Sequence, residues 1–197
     1  MLDLRGRSLL APIIDPIAAG LSKAHLTPTA VTILGLLVSI VGAVFIANGR
    51  LVAGALIAGF GSLLDALDGA LARYQEAVST KGAFIDTMSD RFGEIAIWGG
   101  LSFDVRDDGT LLMLCLFGLA FSLLTPYVRA KAESWGAEGR GGWMGRAERL
   151  ILLLAGVGIA GLWNRDVVLL TVLWVFAVLS GFTVAQRIRR TWQQLEA

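Results

Sequence analysis

Apolar residues in this chain come in long blocks, with polar and charged residues gathered between them. Six blocks approach the roughly 20 residues that a helix needs to cross a bilayer: residues 29–47, 51–74, 84–103, 109–130, 149–163 and 167–187. The fifth is short, and the second and third carry acidic residues at one end. The pattern predicts an all-α integral membrane protein with six transmembrane helices. Ahead of the first block, Leu4, Leu9, Ile13, Ile14, Ile17 and Leu21 recur at near-helical spacing, with Arg5, Arg7 and Lys23 among the polar positions. Residues 1–26 therefore read as an N-terminal juxtamembrane amphipathic helix that lies in the interface or caps the bundle. Pro12, Asp15 and Pro16 interrupt the stretch behind the two arginines, so it reads as retained and not as a cleavable signal. Thr27 and Pro28 suit the N-cap and first position of the next helix. The glycine-rich stretch 136–145 reads as a loop, 27–190 as a six-helix bundle and 1–197 as one domain with no internal repeat.

Composition removes the soluble alternatives. The 197 residues are 55% hydrophobic and 17% charged, with a mean hydropathy of +0.69, too apolar for an ordinary soluble domain. A net charge of +1 gives no basic footprint for nucleic acid. Cys115 and His25 are each the single residue of their kind and cannot form a disulfide or a Cys/His zinc site. Of the 17 Lys and Arg residues, all but Arg50, Arg106 and Arg165 fall on the side of the N-terminus. The positive-inside rule then predicts a multi-pass protein of the cell membrane with both termini cytoplasmic. Trp98, Trp135, Trp143, Trp163 and Trp192 mostly fall near block ends and read as interfacial anchors. Gly35, Gly42, Gly54, Ala58, Gly59 and Gly61 allow close helix packing, inside the bundle or between copies.

The charged residues inside the blocks carry the chemistry. Asp65 and Asp68 stand three apart at the end of the second block; Asp86 and Asp90 stand four apart at the start of the third. Either spacing puts both carboxylates on one helix face, and a short connection makes the two helices antiparallel neighbours. Four carboxylates can thus converge near the cytoplasmic membrane edge. An aspartate at the centre of a membrane helix costs roughly 2.5–3.5 kcal/mol, less toward the interface, before mutual repulsion is added. Bound cations relieve both terms, and an all-oxygen donor set favours Mg²⁺ or Mn²⁺, with enough ligands for two ions. Gly69 and Ala72 leave room for a phosphorylated ligand beside the backbone, and Arg73 offers a guanidinium fork to phosphate oxygens. Ser79 and Lys81 lie in the same connection.

The run Asp65-Ala-Leu-Asp68-Gly69-Ala-Leu-Ala72-Arg73, followed by Gly82 and Asp86-Thr-Met-Ser-Asp90, resembles the signature of the CDP-alcohol phosphatidyltransferase family at every specified position. The resemblance implies metal-dependent transfer of a phosphatidyl group from CDP-diacylglycerol to an alcohol, with release of CMP. It implies two metals on Asp65, Asp68 and Asp86, with Asp90 as a further ligand or as the base that deprotonates the acceptor. CDP-lipid contacts would come from Gly69, Ala72, Arg73 and Ser79, and from Thr29, Ala30, Val31 and Thr32, where a helix start offers free N–H groups. A homodimer is also implied.

A second basic set, Arg129, Lys131, Arg146, Arg149 and Arg187, lies at helix ends on the same side. By composition the positive-inside rule alone explains it. The segments Arg129-Ala-Lys131-Ala-Glu133, Arg146-Ala-Glu148-Arg149-Leu150 and Gln186-Arg187 are, however, similar to the phosphatidylinositol phosphate synthases of that family. That likeness implies inositol phosphate as acceptor, its phosphate held by Arg129, Lys131, Arg149 and Arg187. A phosphatidylglycerophosphate synthase, accepting glycerol 3-phosphate, is the nearest rival. A cation transporter is the rival of another class; it predicts carboxylates or broken helices at mid-membrane, whereas these aspartates sit at one end beside Arg73.

Overall fold

The computed structural model describes residues 16–139 and 141–195, which are helical throughout apart from short connections. A short helix α1 (16–23) leads into α2 (Pro28–Ala47), α3 (Leu51–Tyr74), α4 (Thr80–Asp104), α5 (Gly109–Ser134), α6 (Arg146–Leu162) and α7 (Arg165–Leu195). Most of the predicted amphipathic segment lies outside the described residues; its last two turns form α1.

Local chemistry sets the helix starts. The Thr27 hydroxyl accepts the Ala30 N–H at 3.2 Å with Pro28 in the first turn, as the sequence predicts. Ser79 caps α4 through the Gly82 N–H at 3.1 Å, and the Asp108 carboxylate caps α5 through the Thr110 and Leu111 N–H groups at 2.8 and 3.0 Å. Gln75, just past α3, donates to the Leu26 carbonyl at 3.0 Å and ties that end to the α1–α2 turn.

The small residues named above act inside the chain. α2 and α3 cross so closely that a Cβ on Gly42 would lie 2.5 Å from the Ala58 nitrogen and 2.8 Å from the Gly54 oxygen. A Cβ on Gly35 would lie 2.8 Å from the Gly61 oxygen. α4 docks on α2, with Gly100 against the Ala43 backbone, and on α5, and not along α3 as the short connection between them suggested. α6 packs on α3, and α7 closes the bundle against α5 and α6. The apolar core, with Ile46, Leu101, Cys115, Val157, Leu173 and Phe176 among its members, fills the half of the bundle away from the aspartates. Outside, Leu37, Leu56, Phe60, Phe92, Phe117 and Val178 are exposed, a continuous apolar coat suited to lipid.

Four of the helices, α2, α3, α5 and α7, are long and apolar enough to cross a membrane. The other two predicted spans differ for identifiable reasons. α4 interleaves Lys81, Asp86, Asp90, Arg91 and Glu94 with its apolar residues, and α6 is only 17 residues long, roughly 25 Å at 1.5 Å per residue. Trp98 also departs from the sequence reading. It is 1% exposed, stacked edge-on against Phe176 at 4.9 Å and hydrogen bonded to Ser122 at 3.3 Å, in the space that Gly118 leaves open. Trp135, Trp143, Trp163 and Trp192 are exposed, as anchors would be.

The α2–α3 crossing meets backbone on backbone, so no side chain can yield to an added methyl. Gly42→Ala is expected to cost about 1–3 kcal/mol of stability, read as a lower thermal unfolding midpoint of the detergent-solubilised protein. An unchanged midpoint would show that the helices separate freely.

Candidate active site

α3 and α4 run antiparallel, and their polar ends face each other across the five-residue turn 75–79. This brings together Asp65, Asp68 and Asp86, each offering a carboxylate oxygen within 4.8 Å of the others. Asp68 is buried, and its Oδ2 accepts a hydrogen bond from the Thr32 hydroxyl on α2. Thr32 thus orients a carboxylate of the triad. Three hard oxygen donors with a hydrogen bond fixing one of them fit a divalent cation.

Asp90 stands beside the triad. Its carboxylate approaches that of Asp65 and pairs with Arg146 at 2.5 Å, with Arg91 3.6 Å away. Arg146, the first residue of α6, also reaches Asp65 at 3.1 Å. A pocket of on the order of one water molecule opens here, lined by Ser39, Ser62, Asp65, Ser89, Glu94 and Arg146.

Sequence reasoning missed Glu94. It lies one turn beyond Asp90, is 6% exposed, and pairs with Arg91 at 2.8 Å and with Arg146 and Arg149 at 3.8 Å each. The signal was present as a third carboxylate at i, i+4, i+8 spacing in an apolar helix. Pro126 was missed as well. It lies inside α5 and has no N–H to give the Ser122 carbonyl one turn back, and Arg91 Nη1 stands 3.5 Å from that oxygen.

The remaining predicted contacts distribute as follows. Gly69 and Ala72 are half-buried, and Arg73 is exposed with its guanidinium over Gly69. Ser79 is exposed, its hydroxyl engaged as the α4 cap. Thr29 and Ala30 lie at the accessible start of α2, whereas Val31 is buried. Of the second basic set, Arg149 is buried beside Glu94, and Arg187 donates to the Gly141 and Thr125 carbonyls at 2.9 Å each. Arg129 pairs with Glu133 at 2.9 Å and is close enough to Arg187 to repel it. Lys131 is exposed, its ammonium 4.5 Å from the Trp135 ring. The structure therefore gathers Arg146 and Arg149 at the carboxylates, Arg129 and Arg187 beside the glycine-rich loop, and leaves Lys131 outermost.

That loop is held by α7. The Trp143 and Met144 N–H groups donate to Gln186 and Thr183 at 3.2 Å each, and the Glu138 N–H donates to Gln194 at 2.6 Å. Gly141 and Gly142 have φ of +116° and +97°, which side-chain-bearing residues rarely adopt, so the loop can follow this path only with glycine there.

Carboxylates converging at the polar end of an apolar helical bundle define a membrane enzyme built around a divalent-metal centre. The family model for CDP-alcohol phosphatidyltransferases matches residues 25–184, and the chain belongs to that family. It is 38% identical over 195 residues to the phosphatidylinositol phosphate synthase of Mycobacterium marinum, covering 94% of this chain and 82% of that one. It is 34% identical over 194 residues to the archaetidylinositol phosphate synthase of Methanothermobacter thermautotrophicus, covering 96% and 94%. The crystal structure of Mycobacterium tuberculosis phosphatidylinositol phosphate synthase with CDP-DAG bound superposes with a TM-score of 0.85 at 37% identity, covering 92% of this chain and 94% of that one. The same enzyme in complex with manganese and citrate also gives 0.85 at 37% identity, covering 91% and 88%.

Removing the hydroxyl that orients Asp68 weakens the cation site without touching a ligand. Thr32→Val is expected to lower Mn²⁺ affinity about 10- to 100-fold, measured by the free-ion electron paramagnetic resonance signal. Unchanged affinity would detach Thr32 from the metal centre.

Proposed function

We propose that this chain transfers the phosphatidyl group of CDP-diacylglycerol to inositol phosphate, giving phosphatidylinositol phosphate and CMP. The observation that carries the reading is the convergence of Asp65, Asp68 and Asp86 within 4.8 Å beside Asp90 and the arginines Arg91, Arg146 and Arg149, the last of them buried. The acceptor is supported by the relatives. Phosphatidylinositol phosphate and archaetidylinositol phosphate synthases differ in their lipid and share the inositol phosphate headgroup by name.

In this proposal Asp65, Asp68 and Asp86 hold Mg²⁺, with Asp90 at the edge of the site; two ions, and Mn²⁺ in their place, suit the donor set. When bound, divalent cations neutralise the diphosphate and the charge that develops on departing CMP. Gly69 and Ala72 admit the diphosphate to the α3 backbone, Arg73 and Ser79 contact its oxygens, and residues 29–32 face the nucleotide. Arg129, Lys131, Arg149 and Arg187 hold the acceptor phosphate and orient its hydroxyl. A carboxylate oxygen of Asp90 takes the hydroxyl proton as the acceptor oxygen bonds to the lipid-side phosphorus and the bond to CMP breaks. Arg146 pairs with the Asp90 carboxylate and aims it.

Six spans place this site at the cytoplasmic face of the cell membrane, with both termini on that side; α4 and α6 cross by turning their charges inward. The excess of basic residues on that side supports the orientation, and the protein works as a homodimer.

The test is CMP release by purified protein with CDP-diacylglycerol and Mg²⁺, comparing inositol phosphate, inositol, glycerol 3-phosphate and serine. Turnover selective for inositol phosphate is expected; selectivity for glycerol 3-phosphate would replace the acceptor and keep the metal site. No metal-dependent CMP release with any acceptor would return the transporter reading. Asp90→Asn is expected to lower turnover about 10²- to 10⁴-fold with Mn²⁺ binding largely retained. Loss of Mn²⁺ binding instead would make Asp90 chiefly a ligand.

A further inference from the structure

Arg146 and Arg149 stand on α6, whereas the carboxylates of the centre stand on α3 and α4. Guanidinium groups on long side chains stay in one place only if something holds them. Arg149 is 3% exposed, and among the described residues the one carboxylate within 4 Å of it is Glu94, at 3.8 Å. Its other contact is the Met144 carbonyl at 3.5 Å. Arg146 is divided three ways, with Nη1 on Asp65, Nη2 on Asp90 and Nε turned to Glu94 at 3.8 Å. The Nε atoms of Arg91, Arg146 and Arg149 are all buried without a hydrogen bond partner, so these three cations depend on ion pairing.

Glu94 is the group common to all of them. Its Oε2 is taken by Arg91 at 2.8 Å, while Oε1 faces both α6 arginines. Arg91 is itself fixed by its Nη1, 3.5 Å from the Ser122 carbonyl that Pro126 leaves without a helix donor. The chain of contacts therefore runs from the backbone of α5, through Arg91 and Glu94, to the two cations of α6.

We infer that Glu94 is a positioning residue for the phosphorylated acceptor: its buried carboxylate fixes Arg149 for the acceptor phosphate and holds Arg146 beside the Asp65/Asp90 pair. The inference rests on the phosphate-bearing acceptor proposed above. Glu94 touches neither substrate nor metal. Without it Arg149 has no anionic partner, and Arg146 collapses wholly onto Asp65 and Asp90, so the acceptor meets a disordered cation pair while the CDP-lipid end of the site is untouched.

The experiment compares wild type with Glu94→Gln and with the double variant Glu94→Gln/Arg91→Gln in the CMP-release assay, together with thermal unfolding midpoints. Glu94→Gln is expected to raise the KM for inositol phosphate at least tenfold while the KM for CDP-diacylglycerol stays within about twofold. The double variant removes one buried cation along with the anion and is expected to regain the unfolding midpoint but not the acceptor KM. Recovery of both would make Glu94 a counter-charge and nothing more, and overturn the inference. So would an unchanged acceptor KM, or a rise shared equally by both substrates. If wild type prefers glycerol 3-phosphate, the acceptor reading falls and the same KM comparison with that substrate decides the role of Glu94. An unphosphorylated acceptor would overturn both.

Discussion

Asp65, Asp68, Asp86, Asp90 and Glu94 hang from α3 and α4, both packed on α2, inside an otherwise apolar bundle, and the polar architecture answers that concentration of negative charge. In a low-dielectric surrounding, carboxylates this close cannot all stay ionised without compensation. Compensation comes in two forms. Arg91, Arg146 and Arg149 neutralise the α6 side of the cluster, where Asp90 and Glu94 lie. On the other side Asp68 is held by the Thr32 hydroxyl, and the triad of Asp65, Asp68 and Asp86 offers oxygen donors suited to a divalent cation. Metal dependence and the buried arginines are thus two responses to one electrostatic problem.

The packing makes that arrangement rigid. α2, α3 and α4 touch backbone to backbone through Gly35, Gly42, Gly61 and Gly100, so the carboxylates stand on elements with little freedom to separate. The apolar core around Trp98 and Phe176 fills the opposite half of the bundle.

Much of this was legible in the sequence. The apolar blocks located α2 to α7, and the Thr27-Pro28 cap was readable from residue type alone because capping is local chemistry. The spacing of Asp65, Asp68 and Asp86 announced a shared face for the same reason. What escaped depended on distant partners. Trp98 resembles any tryptophan toward the end of a span until Gly118 on another helix opens a slot for it. Arg149 and Arg187 look alike in the sequence, yet one is buried on Glu94 and the other donates to one carbonyl of α5 and one of the loop. Small residues at 35, 42, 54 and 61 suited a bundle or a dimer equally well, and only the fold assigned them to the α2–α3 crossing.

α7 has 31 residues, roughly 46 Å at 1.5 Å per residue, against a hydrocarbon layer about 30 Å thick. About a third of the helix exceeds that layer, and the loop between α5 and α6 is fastened to its C-terminal part, as to a post, by Thr183, Gln186, Arg187 and Gln194. The entrance for a water-soluble reactant is therefore referenced to protein and not to the bilayer surface. A thicker or thinner bilayer would slide along the post without shifting the loop relative to the carboxylates. A reactant dissolved in lipid and one dissolved in water would still meet at the same height.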